Sequence, residues 1–149
     1  MQFIADNMLG KLAKWLRFMG YDTIYPKKPT DDELIQLSQS QDRYLLTRDK
    51  ELARRKNLKV IYIQSDQLEA QLKQIKSELH LELSADAFLR CPECNHLIKQ
   101  IDKLDVKNKV PKGVFDRQDQ FWVCTNCNRY YWQGSHYEKI KDKLNSLVK

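Results

Sequence analysis

Long apolar runs and glycine-rich phosphate loops are both missing from this chain. No stretch of its 149 residues approaches the ~20 consecutive apolar positions a helix needs to cross a bilayer. The opening Met1-Gln-Phe-Ile-Ala-Asp6 has no basic segment leading into an apolar core, so it does not read as a secretory leader. The expectation is a soluble cytoplasmic protein with no membrane partner. Glycine is scarce, at 4 residues, and none builds a Walker-type loop or the strained turn of a nucleophile elbow. Phosphate cradling by a glycine loop and acyl transfer by an elbow serine are thereby set aside. There is no internal repeat and no low-complexity tract.

Cysteine is equally scarce, and its placement is informative. All 4 cysteines fall in two pairs, Cys91-Pro-Glu-Cys94 and Cys124-Thr-Asn-Cys127. Each Cys-x-x-Cys aims two sulfurs from one tight turn, and two such turns supply the tetrahedral thiolate set of a structural zinc site. The 29 residues between the pairs fit a zinc ribbon whose hairpin carries an insertion. Disulfides do not suit an intracellular chain, and a redox Cys-x-x-Cys does not call for two copies. Four thiolates close the coordination sphere and leave no open position for chemistry. Any catalysis belongs elsewhere in the chain.

The net charge of +6 is unevenly distributed, with 14 Lys+Arg against 13 Asp+Glu in residues 1–89 and 12 against 7 in residues 90–149. Four thiolates and one dication reduce the second part to about +3, a modest positive surface suited to a polyanion. Two parts are expected, residues 1–86 and residues 87–149, because a ribbon-sized piece needs a metal to supplement its small core.

Before residue 80 the patterns alternate between strand and helix. Phe3–Ala5, Thr23–Tyr25, Tyr44–Thr47 and Val60–Ile63 read as strands. Between them, Asn7 is the expected cap of a helix containing Leu12, Trp15 and Leu16 and stopped at Gly20. Thr30-Asp-Asp-Glu33 forms a capping box, and Ser65 is expected to cap a helix through Leu79. Alternation of this kind implies an α/β fold with a parallel sheet and helices on both faces.

Ligands of such sheets gather at the carboxyl ends of the strands. Asp6 ends the first strand, Asp31 and Asp32 open the helix after the second, and Asp49 lies just beyond the third. Carboxylates converging there suit magnesium or manganese, which activates water and neutralises charge on a phosphodiester. Local explanations compete: Asp31 and Asp32 favour a helix dipole, Asp49 can cap a short helix, and Asp6 can close a turn.

Phe3-Ile-Ala-Asp6, Met8-Leu-Gly10, Leu12-Ala-Lys-Trp-Leu16, Gly20-Tyr-Asp22, Asp31-x-Glu-Leu34 and Leu45-Leu-Thr-Arg-Asp49 together resemble the Mut-seven C-terminal RNase domain family, a PIN-like fold. The second half is similar too, in Phe121-Trp-x-Cys124, Cys127-Asn-x-Tyr-Tyr-Trp132 and Gly134-Ser-His136, which read like the zinc ribbon that follows the nuclease domain in that family. The resemblance implies a metal-dependent ribonuclease acting on RNA. By position it makes Asp6, Asp31 and Asp49 the metal-binding acids and Thr47 their supporting hydroxyl. Asp66, beyond the fourth strand, is the nearest counterpart of a fourth acid, and Asp32 replaces Asp31 if the helix starts one residue later. The resemblance also allows a homodimer, although no residue pattern marks a partner surface.

Lys11, Lys14, Arg48 and Lys50 are candidate phosphate contacts, as is His136 at the start of the last helix; ordinary solvated helix faces are the competing explanation. The ribbon aromatics Phe121, Trp122, Tyr130, Tyr131 and Trp132 either stack on bases or fill the ribbon's core. A non-catalytic RNA- or protein-binding adaptor built on the ribbon is the rival function. For the enzyme, Asp6→Asn and Asp49→Asn are expected to abolish cleavage with folding intact or improved, by relief of like charges.

Overall fold

A computed structural model describes residues 1–83 and 89–148 of the chain. Met1–Arg17 with Tyr21–Glu82 forms one compact unit, and Phe18–Gly20 with Leu83–Lys149 forms the second. The expected boundary at residues 86 and 87 lies outside the described residues.

In the first unit, β1 (Phe3–Ala5), β2 (Thr23–Ile24), β3 (Tyr44–Thr47) and β4 (Val60–Tyr62) make a parallel sheet in the order β2-β1-β3-β4. The helices between them are α1 (Gly10–Phe18), α2 (Asp31–Ser40) and α3 (Lys50–Ala53), with α4 (Leu68–Leu79) after β4. Period-2 alternation builds one face of the sheet. Ile24, Ile4, Leu45 and Val60 stand opposite one another across all four strands, so their side chains share a face. Leu34 of α2 and Leu52 of α3 cover that row. The chain crosses from β1 to β2 in one direction, then returns past β1 to β3 and on to β4. Right-handed crossovers therefore put α1 on the face opposite α2 and α3. The α/β expectation of a parallel sheet flanked by helices holds.

Two caps differ from expectation. Asp6, rather than Asn7, is the first cap, accepting from Met8 N at 3.0 Å, and the first turn is a 3-10 turn over Asn7–Leu9. Ser65 closes a turn ahead of α4 by accepting from Gln67 N at 3.0 Å. Gln67 holds the cap position there without a side-chain cap bond. The Thr30–Glu33 capping box forms with both reciprocal bonds. Gly20 follows α1 at φ +97°, a conformation only glycine adopts readily.

The second unit carries an antiparallel sheet, β5 (Ile98–Ile101), β6 (Phe121–Cys124) and β7 (Tyr130–Tyr131), in that order. The insertion between β5 and β6 holds a 3-10 turn, Lys103–Val106, and the short helix α5 (Lys112–Arg117); α6 (Ser135–Val148) closes the chain. Its core is small: Val106, Phe121, Trp122, Val123, Tyr137 and Leu144 are buried.

Candidate active site and metal centre

The strand order reverses between β1 and β3, and at such a switch point the helices leave on opposite faces and open a crevice beyond the carboxyl ends. Asp6 follows β1 there. It is only 4% exposed, and its backbone N donates to Leu46 O of β3 at 3.1 Å. Oδ1 accepts from Met8 N, while Oδ2 accepts from the Thr47 hydroxyl and from Arg48 N at 3.2 Å. Thr47, fully buried, also accepts from Asp49 N at 2.9 Å through the same hydroxyl oxygen. Its single proton is thus committed to Asp6, and the hydroxyl ties the Asp6 carboxylate to the Asp49 backbone across the switch point.

Asp49 caps α3 with Oδ1, accepting from Glu51 N at 2.9 Å and Leu52 N at 3.2 Å. Its Oδ2 has no hydrogen bond among the described residues. A carboxylate offers about four lone-pair sites, so three bonds on Asp6 and two on Asp49 leave acceptor capacity on both. Asp31 is the first residue of α2 and exposed; the helix starts there, so the register that would substitute Asp32 does not occur. Asp66 is exposed, and its Oδ1 accepts from Gln67 Nε2 at 3.0 Å.

The Thr47 hydroxyl therefore joins the Asp6 carboxylate to the backbone of Asp49, while Asp31 and Asp66 stand on exposed positions of neighbouring connections. As a set, Asp6, Asp31 and Asp49 do not close to the 4.8 Å spacing that the cysteines reach. Thr47→Val is expected to destabilise the protein by about 2–3 kcal/mol, since it strips a charge-assisted donor from a buried carboxylate. Thr47→Ser should restore most of that loss. Urea unfolding of the three proteins checks this, and equal midpoints for the valine and serine variants would refute the bridge.

Among the basic candidates, Lys11, Lys14 and Lys50 are exposed. Arg48 is half-buried, and its guanidinium donates to Ile63 O at 3.2 Å, which braces the end of β4. The side chain of His136 lies outside the described residues. Sequence reasoning missed Tyr25, whose hydroxyl donates to Asn7 O at 2.7 Å and so pins the turn after Asp6. Gly10 leaves room for it, since a Cβ there would meet the Tyr25 hydroxyl at 3.0 Å.

In the second unit the four cysteines form a closed cluster, every Sγ within 4.8 Å of the others. Cys91 and Cys127 sulfurs are 3.6 Å apart and Cys94 and Cys124 sulfurs 3.4 Å. A tetrahedron with metal–sulfur bonds of about 2.3 Å has edges of about 3.8 Å, whereas a disulfide needs about 2.05 Å. The thiols are free and at zinc spacing. The donor set fits structural zinc.

The two turns share one geometry. Cys91 N donates to His96 O and Asn95 N to Cys91 O, both at 2.8 Å. Cys124 N donates likewise to Arg129 O at 2.9 Å and Asn128 N to Cys124 O at 2.8 Å. The residue after each pair is asparagine, at φ +70° for Asn95 and +60° for Asn128, a left-handed conformation that asparagine tolerates better than most residues. The repeated Cys-x-x-Cys-Asn was the overlooked signal. Asn128→Val is expected to weaken zinc retention, because a β-branched residue is strained by roughly 1–3 kcal/mol at positive φ. Asn128→Gly should be nearly neutral, and competition with a chromophoric chelator reads the difference.

Without metal the thiols are electrostatically unequal. Burial opposes ionisation of Cys94, but hydrogen bonds from His96 N, Cys124 and the Asn126 side chain overcome it and bring the thiol down to about 6. Burial and the bond to Cys94 push Cys124 up to about 12. Burial likewise raises the Tyr131 hydroxyl, with the neighbouring Cys91 adding to the effect.

The ribbon aromatics divide by strand rather than by alternation, since all four residues of β6 are buried. Phe121 and Trp122 are buried in the core, Phe121 edge-on to Trp132 with ring centroids 6.5 Å apart, while Tyr130, Tyr131 and Trp132 are half-buried.

A four-stranded parallel sheet flanked by helices, and a second unit holding a four-cysteine cluster, define an α/β protein with a second unit of zinc-ribbon type. Its relatives are identified by a family match: the family described as the Mut7-C RNAse domain matches residues 1–144. The chain belongs to that family, whose name denotes ribonuclease activity. No curated protein and no solved structure matches it. No helix among the described residues is long and apolar enough to cross a membrane.

Proposed function

We propose that the protein is a metal-dependent ribonuclease that hydrolyses RNA phosphodiester bonds in the cytoplasm, with Asp6, Asp31 and Asp49 holding magnesium or manganese. The observation that supports this reading is the Thr47 hydroxyl, which joins the carboxylate of a nearly inaccessible Asp6 to the backbone N of Asp49 at the switch point. Bound there, the ion supplies an activated water and neutralises charge developing on the phosphodiester. Asp6, locked by three hydrogen bonds, presents a fixed carboxylate. Asp49 contributes the oxygen that its helix cap does not use. Asp31 adds a third carboxylate from the solvent side, and Asp66 is the reserve position for a fourth. Arg48, Lys50, Lys11 and Lys14 are assigned to substrate phosphates on the first unit, and His136 to a phosphate on the second. The choice of RNA over DNA rests on the family.

The adaptor reading draws on one specific observation: three of the four carboxylate oxygens of Asp6 and Asp49 already accept hydrogen bonds that cap or brace the fold. Incubation of labelled single-stranded and structured RNAs with manganese, magnesium or EDTA separates the two. Cleavage that needs the metal and is lost in Asp49→Asn supports the enzyme. Undiminished RNA binding by both proteins, with neither cleaving any RNA, selects the adaptor.

A further inference from the structure

The four thiolates of the ribbon carry more negative charge than one zinc ion cancels, so hydrogen bonds to sulfur decide how firmly the metal is held. Part of that compensation is common to the two turns. Cys91 receives backbone N–H bonds from Glu93 and Cys94, and Cys124 receives the matching pair from Asn126 and Cys127. The first pair has two side-chain donors in addition. The Asn126 side chain bonds Cys94, and the Tyr131 hydroxyl lies 3.0 Å from Cys91 Sγ. Strand pairing sets the second contact: β7 aligns Tyr131 with Trp122 of β6, two residues before Cys124. A metal-bound cysteine is a thiolate with no proton to give, so in the loaded protein the hydroxyl must be the donor.

We infer that Tyr131 is a positioning residue of the zinc centre, donating its hydroxyl proton to the Cys91 thiolate and setting how tightly the metal is retained. This goes beyond the ribonuclease reading and holds whether or not the protein cleaves RNA. The hydroxyl offsets excess negative charge on the four-thiolate site and disfavours the competing proton on Cys91, and it holds that sulfur in one orientation. Tyr131 and Asn126 both reach the first pair from the second, so the two halves of the site are tied together by more than the ion.

Tyr131→Phe keeps the ring and removes only the donor. Loss of an outer-shell partner lowers metal affinity about 10–100-fold, and this is the drop expected for the full-length variant in competition with a chromophoric chelator. The cobalt-substituted variant should also show a shifted sulfur-to-metal charge-transfer band, which a purely packing role would leave in place. Parent-like zinc affinity together with an unchanged cobalt band overturns the inference. The unaltered protein loaded with cadmium-113 gives a reading independent of any variant's folding. A protected hydroxyl proton coupled to the metal is the result expected, and a freely exchanging, uncoupled hydroxyl counts against the donor assignment.

Discussion

Asp49→Asn is expected to abolish metal-dependent RNA cleavage, by about 10³-fold if the metal contributes some 4 kcal/mol of transition-state stabilisation, while leaving the protein as stable as its parent. The second half of that expectation makes the variant informative. Asp49 caps α3 through one oxygen, which accepts from Glu51 N and Leu52 N. Asparagine is as good a cap as aspartate and can keep both bonds. Its amide nitrogen then replaces the uncommitted oxygen, which cannot ligate a cation. Parallel measurement of cleavage rate and urea midpoint decides the matter. An active Asp49→Asn protein would remove Asp49 from the metal site.

Asp6→Asn is a poorer test, and the structure corrects the expectation that it leaves folding intact or improved. Both oxygens of Asp6 accept hydrogen bonds, from Met8 N on one side and from Thr47 and Arg48 N on the other. An amide nitrogen on either side faces a donor. The cost is about 1–3 kcal/mol for a buried donor left unsatisfied, which outweighs any relief of like charge. Loss of activity in this variant alone would mix chemistry with stability.

Stripping zinc, or replacing Cys124 with serine, is expected to unfold the second unit. Its core is a handful of side chains around Phe121, Trp122 and Leu144, too little to stabilise a ribbon-sized unit unaided. Zinc binding to such sites is worth about 10–16 kcal/mol at neutral pH, and that binding energy is folding energy. Near-ultraviolet circular dichroism of the chelated protein should lose the contribution of Trp122 and Trp132 while Trp15 of the first unit keeps its own, and one zinc per chain should restore it. Retention of a native spectrum after complete zinc removal would show that the core suffices.

Acid should have the same effect as chelation. Zinc takes the cysteines as thiolates, so protons compete with it. In the folded ribbon hydrogen bonds overcome burial to bring Cys94 down to about 6, while burial pushes Cys124 up to about 12, so loading releases protons and zinc affinity falls as pH falls.

Much of this was legible in the residues. Phe3–Ala5, Tyr44–Thr47 and Val60–Tyr62 emerge as strands because each is a short, largely apolar run entered from a polar residue. The Thr30–Glu33 box forms as written because both its bonds are local. Asn7 and Ser65 failed as caps because several polar residues in a row satisfy the same preference, and only the backbone conformation selects Asp6 and Gln67. The cysteines were legible because thiolates at Cys-x-x-Cys spacing have few other uses in such a chain. Tyr131 was not, since nothing local distinguishes a core tyrosine from one aimed at sulfur.

By itself, then, the sequence determined the element types, the thiolate set and the acids at strand ends, all of which follow from interactions over a few residues or from ligand chemistry. The tertiary structure alone decided what Asp6 bonds to. Asp6 and Thr47 are 41 residues apart and become partners only because β3 pairs with β1 at the point where the sheet reverses direction. Parallel pairing has no local signature: it is selected by burial of the Ile4 and Leu45 row beneath α2 and α3, an energy summed over the whole unit rather than read from any one segment.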